Sequence, residues 1–104
     1  MKLACKDITK VILPAVRASV AEEMYRKHGY KQDQIAKELG VVQVAVSKYL
    51  NKRYSSKTVR VKKYINSNRL NQAIVRKILG SRPKQEVENE IEKLCGKLIK
   101  FNAA

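Results

Sequence analysis

One glycine between two short apolar patterns constrains this chain more than any other feature. In QDQIAKELGVVQVAVSKYLN, residues 32–51, Ile35, Ala36 and Leu39 recur at helical spacing. Gly40 interrupts them, and Val44, Val46, Tyr49 and Leu50 take up a second pattern of the same period. A helix that stops and restarts within a few residues usually needs a positive φ at the stop, which glycine adopts without a Cβ penalty. Ala36 falls where the two helices cross most closely, so a small side chain is required there. Val46, six residues after Gly40, is expected to point back at Ile35 and Leu39, and Leu50 belongs to the same apolar face. This is the layout of a helix-turn-helix, whose second helix enters the major groove of DNA.

Charge points to the same partner. The formal net charge is +14, and from Val41 to Lys84 there is no Asp or Glu at all, while that stretch carries Lys48, Lys52, Arg53, Lys57, Arg60, Lys62, Lys63, Arg69, Arg76, Lys77, Arg82 and Lys84. One-sign charge at this density repels itself unless a polyanion neutralises it. Double-stranded DNA fits. A membrane surface fits less well, because the stretch lacks the Trp and Phe that anchor interfacial helices. The polar face of the second helix then supplies base readers. Gln43 can bond adenine in a bidentate way, Lys48 can reach guanine O6 and N7, Ser47 can serve either, and Val44 is available for a thymine methyl. Gln32, Lys52, Arg53, Lys57 and Arg60 are the candidates for phosphate contacts that fix register.

The pattern Gln32, Ala36, Gly40, Val46, Ser47 resembles the Cro/repressor-type (XRE) helix-turn-helix. Over roughly residues 5 to 54 the chain, with VILPAVRASVAEEMYRKHGY ahead of the motif, is similar to small archaeal transcriptional regulators in which a "VLPAIRA" helix precedes the motif and "TQAAVS" follows the turn. That resemblance implies a DNA-binding regulator. The chain departs from it at Val42, where such proteins carry Ser or Thr to cap the recognition helix. Valine accepts no hydrogen bond, so either the helix start shifts or Gln43 helps to satisfy its first amides.

The rest of the chain reads as all-α, a Cro/repressor-like helical bundle forming one domain over residues 1–104. Within it, 5–54 is the helix-turn-helix core and 55–104 a basic connector followed by C-terminal helices. Asp7 can cap a first helix with Ile8, Val11, Ile12, Val16, Val20 and Met24 on one face, ending at His28-Gly29. Pro14 either opens that helix or kinks a longer one. Ser55 or Ser56 can cap a helix running to about Asn66, although Val59-Arg60-Val61-Lys62 also alternates as a strand does. Leu70, Ile74, Ile78 and Leu79 mark the next helix, and Pro83 opens the last, about Lys84 to Phe101. There Val87, Ile91, Leu94 and Leu98 form a strip close to a heptad seam. The strip either packs on the chain's own core or also meets a second subunit, so the C-terminal helices are candidates for homodimerisation. Tyr25, Tyr30, Tyr49 and Tyr64 sit beside apolar positions and are expected in or near the core. Tyr54 either touches a phosphate or is a plain surface aromatic.

Cys5 and Cys95 are the only cysteines, and with a single His they make a metal site improbable. In a mesophilic cytosol they are inert thiols, while in a hyperthermophilic archaeon a Cys5–Cys95 disulfide, within one chain or between two, becomes credible. No nucleophile–base spacing, phosphate-cradling glycine loop or convergent carboxylates appear. The expectations are therefore no enzyme, no cofactor and no small-molecule substrate. The polar N-terminus and the lack of a long apolar run point to the cytoplasm rather than to export or a membrane. Sequence-specific regulation is one function class. A general nucleic-acid-coating protein is another, supported by the diffuse charge out to Lys84, and a protein-interaction module built on the last helix is a third.

Overall fold

The computed structural model describes residues 8–103, with side chains from Lys10 to Lys100. Asp7 and Cys5 lie outside the described residues. A π-helical turn, Ile8–Ile12, leads into six α-helices: α1 (Leu13–His28), α2 (Gln32–Leu39), α3 (Gln43–Leu50), α4 (Ser56–Ser67), α5 (Gln72–Leu79) and α6 (Lys84–Ala103). No strand occurs among the described residues, so the alternation at Val59–Lys62 lies on a helix.

Helix α1 is the hub, packing against each of the other five. It is not a one-sided amphipathic helix. Ala15, Ala18, Ser19, Ala21 and Glu22 are buried beside Val16, Val20 and Met24. The small residues let neighbouring helices approach α1 from several directions. Apolar periodicity marked one face and missed the rest.

Pro14 settles at the first turn of α1, directly after the π-helical turn. Proline carries no N–H, so the carbonyl four residues back loses its usual donor. That carbonyl belongs to Lys10. The hydroxyl of buried Thr58 on α4 lies 3.4 Å from the Lys10 oxygen and 3.3 Å from that of Val11, and donates to them. Ser55, not Ser56, caps α4, its Oγ accepting the Thr58 N–H at 3.2 Å. One serine and one threonine thus start α4 and tie it to the irregular entry of α1.

A second tie is ionic. Lys62 Nζ on α4 donates to both carboxylate oxygens of Glu22 on α1, at 2.5 and 2.7 Å, with both side chains largely buried. Burial pulls the Lys62 ammonium down, but the Glu22 carboxylate and the nearby Tyr54 hydroxyl outweigh it and hold its pKa above the ordinary lysine value. The Lys62 ammonium also sits 5.4 Å from the centre of the Tyr54 ring.

The last helix closes the bundle. Val87, Ile91, Leu94 and Leu98 are all buried in the common core, together with Cys95. The heptad-like strip is therefore spent on the chain's own interior. Cys95 is a free thiol whose pKa burial pushes up, Arg17 opposing and Glu92 adding to the shift. The proposed pairing with Cys5 lies outside the described residues.

Candidate nucleic-acid interface

The turn between α2 and α3 forms as its glycine requires. Gly40 has φ +68°, and its N–H bonds the carbonyls of Ala36 and Lys37. Ile35, Ala36, Leu39 and Val46 are buried together, with Leu50 and Tyr49 partly buried against them. At the start of α2, Gln34 Oε1 accepts the Lys31 N–H at 2.9 Å. Packing the inner faces of α2 and α3 on α1 leaves the first turn of α3 outward. Gln43, Val44 and Lys48 are exposed. Ser47 is half-buried, and its hydroxyl accepts from Asn51 Nδ2 at 3.3 Å, so it has an internal partner besides any base. Gln32 is half-buried at the first turn of α2.

Val42 occupies the N-cap of α3 in extended geometry, with φ −79° and ψ 155°, and the helix has no side-chain cap. The helix start does not shift and Gln43 does not substitute. At the other end of α3, Asn51 Nδ2 bonds the Ser47 carbonyl at 2.9 Å, and the Arg53 N–H returns to the Lys48 carbonyl at 2.9 Å. Lys52 lies between them at φ +58°. A left-handed lysine is strained where glycine would not be.

The structure sorts the basic residues that the sequence left as one run. Lys62 is neutralised by Glu22. Lys77 pairs with Glu86 at 3.2 Å and Glu90 at 3.7 Å, and Arg82 with Glu86 at 2.6 Å. Glu90 also meets Lys93, three residues further along α6, at 3.7 Å. The Arg82 guanidinium, then the Lys77 ammonium, hold the Glu86 carboxyl below the usual carboxylate range. Among the described residues, no ion pair involves Lys48, Lys52, Arg53, Lys57, Arg60 or Lys63. All six are exposed, and they run from the end of α3 across the turn and along α4. Lys63 was not among the phosphate candidates, although its three-residue spacing from Lys57 and Arg60 was visible in the sequence.

Two tyrosine expectations are corrected. Tyr25 is 47% exposed on the outer face of α1 and is not a core residue. Tyr54 is half-buried, and its hydroxyl is enclosed with no hydrogen-bond partner of good geometry. It packs under Lys62 and does not present its hydroxyl to a phosphate.

A helix-turn-helix with its second helix projecting and unpaired cations beyond it defines a DNA-binding domain of the helix-turn-helix class. The chain belongs to the ParB HTH domain family, whose model matches residues 14–101 and so spans the motif and the helices after it. This match supports the helix-turn-helix, and not the narrower Cro/repressor-type assignment or an archaeal source. No curated protein and no solved structure matches the chain. No described helix is long and apolar enough to cross a membrane, and no described cluster of His, Cys, Asp and Glu has the makings of a metal site.

Proposed function

We propose that this chain is a sequence-specific regulator of transcription, a binding module rather than a catalyst, that reads double-stranded DNA with α3. The observation that supports it is the sorting of charge. Lys62, Lys77 and Arg82 have acidic partners within the fold, while six exposed basic residues without one among the described residues, Lys48, Lys52, Arg53, Lys57, Arg60 and Lys63, follow from the last turn of α3 through α4, with Arg69, Arg76 and Lys84 exposed and unpaired further along the chain. Gln43, Val44 and Lys48 read base edges, with Ser47 at the margin. Lys52, Arg53, Lys57, Arg60 and Lys63 hold phosphates, joined by Gln32 at the N-terminal end of α2. The likeness of the motif and its preceding helix to small archaeal regulators supports the regulatory part, and the cytoplasm is the compartment such a role implies.

One such motif reads too few base pairs for genomic specificity, so two copies acting as a homodimer are expected on a pseudo-palindrome with recognition helices ~34 Å apart. This pairing is argued from the length of DNA to be read, since the α6 strip faces inward.

Selection of bound duplexes from a random pool tests the reading. A preferred, two-fold symmetric sequence is expected, and Gln43→Ala should weaken binding to it by about 1–3 kcal/mol while barely affecting random DNA. Equal losses on both would remove Gln43 from base reading. The absence of any preferred sequence, with steep salt dependence, would favour the coating protein instead.

A further inference from the structure

Val42 and Val44 break two rules at one place. They are 71% and 63% exposed, far more than Tyr25 or Leu79, the other exposed large apolar side chains among the described residues. They flank Gln43 in the sequence and share the first turn of α3 with it. Val42 also holds an N-cap position where Ser, Thr, Asp or Asn would stabilise the helix. Two bare aliphatic side chains exposed at the start of a helix gain nothing from the fold. Local departures of this kind are expected where a ligand supplies the compensation.

We propose, on the basis of the DNA-reading role above, that Val42 and Val44 form a methyl reader. They pack against the C5-methyl groups of pyrimidines on either side of the base pair addressed by Gln43. That methyl group is the apolar feature of the major-groove edge, carried by thymine and by 5-methylcytosine. Valine suits the task, because its branched Cβ leaves little rotamer freedom to lose on binding. Contact buries the valine methyls together with the base methyl and expels the water around both. The bulk of Val42 at the cap position, which would be a defect in an isolated helix, then becomes a base-reading feature. This adds Val42 to the reading residues and assigns the preference of the first turn of α3 to methyl-bearing pyrimidines.

The experiment uses the full chain and the duplex recovered by selection, with affinity measured by fluorescence anisotropy. Each thymine of a half-site is replaced in turn by uracil, which differs only in lacking the C5-methyl. About a fourfold loss is expected for each methyl that a valine covers. Val44→Ala should erase the difference at one position and Val42→Ala at a neighbouring one. Both side chains are exposed, so both variants are expected to fold, and a urea melt checks this. A second series places a C·G pair at the same positions, with and without a 5-methyl group on cytosine. A gain on methylation extends the reader to 5-methylcytosine, and a response to thymine alone assigns it to thymine. A preferred duplex whose affinity ignores every thymine-to-uracil change, or discrimination that survives in the Val42→Ala/Val44→Ala double variant, overturns this proposal and leaves the DNA-reading role standing. Failure to recover any preferred duplex removes both.

Discussion

The Glu22–Lys62 pair sets the position of α4, and so of the cations along it. Each partner is largely enclosed, with Nζ held by both carboxylate oxygens. Removing one member leaves a buried, uncompensated charge, which costs ~3–5 kcal/mol. In a domain of this size that is a fall in Tm of at least ~12 °C. Glu22→Leu is therefore expected to be severely destabilised. Glu22→Leu/Lys62→Met, which replaces the pair by apolar groups, should recover most of the loss, giving a coupling of ~2 kcal/mol or more in a double-mutant cycle. The pH dependence carries its own sign. Lys62 has a folded pKa above its ordinary value, so its contribution is complete below about pH 10.4 and is lost as pH rises through the folded pKa. In Glu22→Leu the desolvation of the ammonium is no longer opposed by a carboxylate, and the folded pKa drops below the unfolded one. That variant should gain stability as pH climbs from 8 to 10, opposite to the alkaline loss of the parent. Urea melts followed by circular dichroism across pH 7–11 read both slopes. A Glu22→Leu cost below ~1 kcal/mol, or an unchanged slope, would mean that the pair is open to water and does not hold α4.

Three further substitutions probe the backbone, and the first also probes DNA contact. Lys52→Gly removes a cation and relieves a left-handed non-glycine residue, so stability should hold or rise by up to ~1 kcal/mol while affinity for every DNA sequence falls and the salt slope flattens by about one unit; lost stability with an unchanged slope would take Lys52 out of the phosphate contacts. Gly40→Ala and Gly96→Ala should move in opposite directions in the same melts. At Gly40 the positive φ penalises alanine by ~1–2 kcal/mol, whereas its near neighbour Lys84 Cε, 3.3 Å from the added Cβ, is flexible and can yield. At Gly96, inside α6 with open space around the new methyl, alanine should stabilise by roughly 0.5–1 kcal/mol.

The features legible in the sequence are those whose cause is local. Gly40 had to sit at positive φ because two helical patterns meet there, and Gly29 does the same after α1. Ser55, Pro14 and Pro83 mark helix starts through their own chemistry, and a helix-turn-helix packs Ile35, Leu39 and Val46 by spacing alone. What stayed hidden depends on partners distant in the chain. Nothing near Thr58 announces that it donates to carbonyls at Lys10 and Val11, and nothing near Ala15, Ala18 and Ala21 announces that α1 is enclosed by five helices. The charge run shows the difference most directly. Read in order, Lys62 and Lys63 are equivalent. In space, one is buried against a carboxylate forty residues earlier and the other faces outward without an ion pair. The acids that divide the run all lie outside it, Glu22 before and Glu86 and Glu90 after. Linear charge counting therefore overstates the positive charge that the fold leaves unpaired. Tertiary pairing withdraws Lys62, Lys77 and Arg82 from the run and leaves Arg69, Arg76 and Lys84 exposed as well as the cations of α3 and α4, a division that depends on acids the run itself does not contain.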